Sequence, residues 1–425
     1  MSGSSVVERV TCLGCGCTCD DVAVEVRDGR IVGVTPPCPV GRAWFGDGSI
    51  PEHVLVSGSA APIEAAITEA ARLLVESAGE LLVYLGPDVS AQAQRAAVAL
   101  ADRLRAAVDS ATSEPAAAGL LAAQRRGRAA ATLGEIRNRA DVLMFWGVDP
   151  TQRYPRYLSR YALEPAGTHV PAGRAGRRVI SVSIGTDRGP TGADVALEVA
   201  PEDELAALSV MRATALGHRL GELPERLGAV PDTALQLTTA RYAVLVHEAE
   251  LSAVPRSPHR TEGLIALTQA LNGVTRAALS SLRAGGNRSG AESVLTWQTG
   301  FPMSVDFSGG FPRYSPGSRG LERLRAGGFA AVLIVGSAAE LAGELEARRA
   351  PVHAVVIGPR ASEAPLTARV AIDTGVAGIH EGGTAYRMDE VPLPLRPPLP
   401  GARSTAETLG ALLLEVRARL AERSG

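Results

Sequence analysis

Apolar positions in this chain follow two rhythms. Short continuous apolar runs recur at 81–86, 140–147, 177–185, 241–249, 277–284, 328–336 and 351–358, each about the length of a strand buried on both faces. Between many of them, apolar residues return every three or four positions, which predicts helices over 202–217, 262–272 and 337–348. Upstream, Ile63, Ile67 and Leu74 with their alanine neighbours form a helical stripe, and Pro62 suits its first turn. Ser90 is placed to cap a helix that begins at Ala91. A last stripe over 406–423 predicts a final helix. Strands alternating with helices predict an α/β architecture built on parallel sheets.

Composition narrows this picture. With 425 residues, 46% of them hydrophobic and 21% charged, the chain has material for two or three domains with real cores. A net charge of −2 and an isoelectric point near 6.4 argue against a nucleic-acid or acidic-membrane partner. All 43 basic residues are arginine, which reads as base composition and not as function. The start, "MSGSSVVERV", lacks the basic and apolar regions of a signal peptide. No apolar run approaches the roughly 20 residues of a membrane span. The expectation is a soluble, cytoplasmic protein.

Cysteine usage adds the chemistry. All five cysteines lie between Cys12 and Cys38. Cys12, Cys15, Cys19 and Cys38 give the spacing C-x2-C-x3-C-x18-C. Clustered thiols in a reducing compartment point to metal and not to disulfides. Four soft anionic ligands suit a [4Fe–4S] cluster, with zinc as the alternative. Between Cys19 and Cys38 an alternating stretch turns at Asp28-Gly29, a hairpin signal that returns the distant thiol toward the others. Cys17 is left over, as a spectator, a neighbouring group or an alternative ligand.

Two loops stand out. One, 185–194, follows a strand and offers Asp187, Arg188 and Thr191, types that bind a nucleotide-like cofactor, although spacing alone favours an ordinary capped turn. The other, 297–320, exceeds twenty residues and carries Trp297, Phe301, Phe307, Phe311 and Tyr314; long loops of this kind cover a site or wrap a surface. The proline-rich 391–404 is expected to wrap a surface. No Walker loop, G-x-S-x-G or H-E-x-x-H is present. His247-Glu248 ends a strand, where a lone histidine is more often a satisfied polar residue than a ligand.

The cysteine motif, "LGEIRNRADVLMFWGVDPTQRYPRYLSR" (133–160), "DRGPTGADVALEVAPEDELAALSVMRA" (187–213), "TWQTGFPMSVDFSGGFPRYSPG" (296–317) and "GIHEGGTAYRMDEVPLPLR" (378–396) together resemble the B subunit of formylmethanofuran dehydrogenase. That family belongs to the molybdenum/tungsten bis-pterin oxidoreductases. The resemblance implies a [4Fe–4S] motif at Cys12, Cys15, Cys19 and Cys38, and a worn pterin-binding loop at Asp187, Arg188 and Thr191. It also exposes departures. Where the dehydrogenase carries a metal-ligating Cys-His-Gly, this chain has Glu114-Pro115-Ala116. Tyr154 stands in place of the family's histidine before Pro-Arg, and Gly189-Pro190 disturbs the pterin loop. Without a thiolate the bis-pterin tungsten or molybdenum lacks its protein anchor.

The implied fold is a multi-domain α/β body like the first three domains of the formate dehydrogenase and DMSO reductase group, with a small amino-terminal cysteine-rich β unit. The expected domains are a cysteine unit over 1–55, a discontinuous α/β domain of 56–130 with 300–400, an inserted α/β domain over 131–299, and a terminal helix within 401–425. The implied role is that of bacterial relatives: a non-redox structural subunit of a formyltransferase/hydrolase complex in tetrahydromethanopterin-linked one-carbon metabolism, with the complex's other subunits as partners. A catalytic tungsten or molybdenum subunit with a non-cysteine ligand such as Glu114, and a zinc-stabilised assembly module, are the alternatives.

Overall fold

The computed structural model describes residues 4–250, 259–346 and 351–424. They form two compact units, one from within 1–113 and 285–425 and one from within 114–284. The expected insertion ran over 131–299; the second unit instead begins at Glu114, in the first turn of the helix Ser113–Arg126, and ends just after the strand Ala277–Leu282. The cysteine unit and the terminal helix both belong to the first unit.

The first unit is built on a sheet that runs Arg313–Tyr314, Val305–Asp306, Ala107–Ser110, Leu81–Leu85, Ala331–Val335, His353–Gly358, Val370–Asp373, Val54–Val56, Ser59–Ala60. Its five central strands are parallel, and the short outer ones are antiparallel. Leu81–Leu85 pairs with Ala331–Val335 in register, Leu81 beside Ala331 and Leu85 beside Val335. All residues of both strands are buried, which is why each reads as an unbroken apolar run and not as an alternation. Helices Ile63–Glu76, Ala91–Arg103 and Thr405–Ser424 cover one face. Ala66, Ala70, Ala71 and Leu74 form the buried stripe of the first. Ser90 caps the second, its hydroxyl accepting from Ala93 N at 3.3 Å. The expected helix over 337–348 is observed as Ala339–Glu346; 347 and 348 lie outside the described residues.

Two expectations need correction. The stretch 297–320 is not one long loop: it opens with the end of the helix Arg288–Thr299 and contains the pair Val305–Asp306 and Arg313–Tyr314, which extends the sheet beyond Ala107–Ser110. Asp306 organises it, buried and bonded to Ser308, Arg313 and Arg319. Polar and glycine-rich composition hid this strand pair. The proline-rich 391–404 likewise contains a strand, Pro392–Leu395, paired with Gly383–Tyr386; a two-stranded ribbon has outer edges where missing N–H groups are tolerated.

In the second unit the parallel sheet runs Val195–Val199, Arg178–Ile184, Val142–Trp146, Ala243–Glu248, Ala277–Leu282. The chain moves outward from Val142–Trp146 in one direction and from Ala243–Glu248 in the other, so the two meet at a topological switch point. A full capping box at Thr132 and Glu135 starts the helix Leu133–Arg139 that feeds the central strand.

Asn287 fastens the first unit across its break in sequence. Fully buried, it donates to Val89 O at 3.1 Å and Gln94 Oε1 at 3.2 Å, and its Oδ1 accepts from Tyr386 N at 2.8 Å. Asn287→Ala strands all three partners and is expected to cost about 3 kcal/mol in urea unfolding; a change within 0.5 kcal/mol, the range of about ±0.5 seen for ordinary surface sites, would refute this role. A second test concerns Asp109, buried at the end of its strand. Burial raises its pKa to about 6 despite hydrogen bonds from Ser113, Ser110 and Leu321. The folded state therefore holds this proton more tightly than the unfolded chain. Its stabilising effect is complete below the ordinary aspartate range and disappears as pH rises through about 6. Wild type should lose stability relative to Asp109→Asn between pH 5 and pH 7, as read from paired denaturation curves.

Candidate metal centre and sheet-edge sites

The cysteines sit on a three-stranded antiparallel sheet of Ser4–Val10, Val22–Arg27 and Arg30–Thr35. Asp28 and Gly29 both have positive φ, 49° and 74°, as a two-residue hairpin turn requires. Cys12, Cys15, Cys17 and Cys19 occupy the connection between the first two strands. That loop is closed by Cys12 N donating to Cys19 O at 2.9 Å and Thr18 N donating to Cys15 O at 3.0 Å. Cys38 follows the hairpin as the residue before the helix Pro39–Phe45, its carbonyl accepting from Arg42 N at 2.8 Å.

The hairpin brings the distant thiol home. A β-carbon added at Gly41 would lie 3.4 Å from Cys12 Sγ and 3.9 Å from Cys38 Sγ, so both sulfurs press against the same helix face. Burial raises the Cys12 pKa, a hydrogen bond from Gly14 N opposes this, and the charges of Cys19, Cys15 and Cys38 raise it further. The other three thiols named from spacing thus all act on Cys12. Cys17 is fully buried and is not among the thiols whose charges weigh most on Cys12. The loop is clamped from elsewhere in the same unit: Gly286 N donates to Leu13 O, Met388 N to Gly16 O, and Thr11 Oγ1 to Pro394 O. Gly285 approaches so closely that a β-carbon there would lie 2.5 Å from Gly14 O. Among the described residues, no three His, Cys, Asp or Glu side chains are disposed to hold a single metal ion.

At the carboxyl edge of the first unit's sheet, Leu81–Leu85 and Ala331–Val335 flank the switch point. Asp88 Oδ1 accepts from Ser337 N at 2.8 Å, and burial raises its pKa to about 6. Arg288 bonds Glu340 and donates to Ala111 O at 2.8 Å. Next to it, Ser110, Thr112 and Ser113 share hydroxyl hydrogen bonds of 3.1 and 3.2 Å. Glu114, Pro115 and Ala116 form the first turn of the helix Ser113–Arg126. In that place the sequence supplies a proline and an alanine, neither of which is a metal ligand.

The second unit's carboxyl edge is lined by buried charge. Arg260, 4% exposed, bonds Glu204 and pairs with Asp187 Oδ2 at 3.0 Å. Trp146 Nε1 donates to Glu204 Oε1 at 2.8 Å. Across the switch point, Tyr154 OH donates to Glu248 Oε2 at 2.9 Å and Arg153 pairs with the same carboxylate at 2.7 Å. Burial and the Glu248 charge raise the Tyr154 pKa. His247 meets Ser281 Oγ at 3.0 Å. The predicted trio is not brought together. Asp187 faces inward to Arg260, Arg188 pairs on the surface with Glu198 at 2.8 Å, and Thr191 is exposed. Arg260, Glu204 and Trp146 were invisible in the sequence because more than a hundred positions separate the first and last of them, with no motif to link them.

No family model matches the chain. The B subunit of tungsten-containing formylmethanofuran dehydrogenase 2 from Methanococcus maripaludis is 32% identical over 433 residues, covering 97% of this chain and 99% of that protein. The protein of the same name from Methanocaldococcus jannaschii is 33% identical over 98% of this chain and 99% of its own. The B subunit of the formyltransferase/hydrolase complex Fhc from Methylorubrum extorquens is 29% identical over 87% of this chain and 98% of its own. In the crystal structure of the formyltransferase/hydrolase complex FhcABCD from Methylorubrum extorquens with methylofuran, one chain superposes with a TM-score of 0.69 at 26% identity, covering 87% of this chain and 99% of that one. With a third of its residues shared along almost its entire length, the chain belongs to the family of formylmethanofuran dehydrogenase B subunits.

Proposed function

We propose that this chain is the structural, non-redox B subunit of a formyltransferase/hydrolase complex in tetrahydromethanopterin-linked one-carbon metabolism. In that setting a formyl group passes from a tetrahydromethanopterin-type carrier to a methanofuran-type carrier and is hydrolysed to formate by a separate amidohydrolase-like subunit. The observation that carries the reading is the helix start at Ser113. Glu114, Pro115 and Ala116 stand there, and the nearest cysteine in sequence is Cys38. A bis-pterin tungsten or molybdenum held at this point would have no thiolate. Two parallel-sheet units with switch points, preceded by a cysteine unit, are consistent with a bis-pterin oxidoreductase body that has lost its metal ligand. The likeness to a chain of FhcABCD supports the other subunits of such a complex as partners.

Cys12, Cys15, Cys19 and Cys38 are the residues that would hold a [4Fe–4S] cluster. The donor set fits: four thiols, Cys12 and Cys19 buried and Cys15 and Cys38 half-buried, with the other three within electrostatic reach of Cys12. A single zinc draws its four sulfurs to within about 4 Å of each other, a tighter gathering than a cube demands, and the described side chains offer no such single-ion group. Bound there, the cluster supplies one-electron chemistry where a redox partner exists and folding energy where none does. Cys12 and Cys38 would anchor it against the Gly41 face, while the clamps from Gly286 and Met388 hold the loop in place.

A catalytic dehydrogenase subunit is the second reading. It is favoured by the fuller coverage by the tungsten-enzyme relatives, 97 and 98% against 87%. Elemental analysis of the purified chain with its co-purifying partners separates the two. The first expects iron near four per chain, visible absorption that bleaches on reduction, and no stoichiometric tungsten or molybdenum; one tungsten per chain overturns it. Cys15→Ser is expected to lose the absorption and several kcal/mol of stability, since ligand binding in so small a unit is folding energy. Stoichiometric zinc without iron removes the cluster assignment.

A further inference from the structure

The peptide between Leu13 and Gly14 lies beside the first thiol of the candidate metal centre, and both of its polar ends are engaged. Its N–H, on Gly14, donates to Cys12 Sγ at 3.4 Å. Its carbonyl, on Leu13, accepts from Gly286 N at 2.8 Å. A trans peptide unit is planar, with N–H and C=O pointing opposite ways, so holding the oxygen aims the hydrogen. Hydrogen bonds thus run from Gly286 through one rigid plane to a sulfur, and each polarises the next.

The far end of this relay is itself fixed. Asn287 N donates to Pro87 O at 2.5 Å, and the Asn287 side chain is held among Val89, Gln94 and Tyr386. Gly286 has a φ of 87°, and a β-carbon on it would lie 2.5 Å from Pro87 O. Gly285 rests directly on the relay. A β-carbon there would lie 2.7 Å from Leu13 O, 2.7 Å from Gly14 C and 2.5 Å from Gly14 O. Any side chain at 285 therefore pushes this backbone off its line to Cys12.

We infer that Gly285 and Gly286 are positioning residues for the metal centre: they aim the Gly14 N–H at Cys12 Sγ and so raise the reduction potential of a cluster held by Cys12, Cys15, Cys19 and Cys38. The inference rests on the iron–sulfur assignment above and adds to it a tuning element from more than 250 positions downstream. An added electron makes the ligand sulfurs more negative, so an N–H donor favours the reduced state. Water at the cluster favours it too. Loosening the loop to solvent therefore raises the potential, whereas losing the donor from a closed loop lowers it.

The test is an EPR-monitored redox titration of the full-length chain with its co-purifying partners. In Gly285→Ala the reduced-to-oxidised ratio at a fixed potential is expected to fall about tenfold, a midpoint lower by about 59 mV for one electron. Thr11→Val removes a different clamp on the same loop, the bond from Thr11 Oγ1 to Pro394 O, and is expected to leave the midpoint unchanged. An unchanged or higher midpoint in Gly285→Ala, or an equal fall in Thr11→Val, overturns the inference and leaves the cluster assignment standing. A wild-type chain without iron overturns both. Where Gly285→Ala holds no cluster, the wild type decides. Pulsed EPR of its reduced cluster, with isotopically labelled glycine nitrogen, is expected to show a glycine peptide nitrogen coupled to the cluster spin; absence of that coupling overturns the inference.

Discussion

The parallel pairing of Leu81–Leu85 with Ala331–Val335 is the constraint on which the first unit depends. It joins segments about 250 positions apart in the chain, so the loop-closure entropy of the whole excursion has to be met by burial along these two strands and their neighbours. Close backbone approach makes the join tight. A β-carbon on Gly358 would lie 2.5 Å from Gly336 Cα, and one on Gly336 would lie 2.5 Å from Asp88 Oδ1. The glycines at the carboxyl ends of adjacent strands therefore let the strand exits crowd together, and Asp88 can span the switch point to Ser337 N.

The cysteine unit depends on that assembly. A three-stranded sheet of this size buries little apolar area on its own. Here Leu13 packs with Ala377, Ala385 and Leu395, and the thiol loop takes hydrogen bonds from residues 286 and 388. The candidate metal centre is thus held by both ends of the chain, which explains how a loop of glycines and cysteines keeps four thiols in one place.

The second unit shows another balance. Its sheet core is apolar, with Met144, Val182 and Leu245 fully buried, yet its carboxyl edge carries Arg260 between Glu204 and Asp187, and Glu248 between Tyr154 and Arg153. Buried pairs of this kind contribute little net stability over apolar replacements, but losing one partner is expensive. They fix the geometry of the strand exits. Tyr154 is one of these fixed groups, its hydroxyl donating to the Glu248 carboxylate.

Strands and helices were legible in the sequence wherever burial was complete or periodic, because an apolar run or a stripe is written locally: Leu81–Leu85, Val142–Trp146 and Ile63–Glu76 all fall where the pattern put them. The thiol spacing and the Asp28-Gly29 turn were local as well, and so were the proline and alanine at 115 and 116. Tertiary structure alone decided what the pattern could not carry. The strand pair within 302–314 exists because Asp306 gathers Arg313 and Arg319, not because its residues favour strand. Asp187 turned away from Arg188 because Arg260, more than seventy positions on, offers it a buried partner. Short-range periodicity records which face of an element is dry; which distant charges meet is set by topology, and that information is spread over the whole chain.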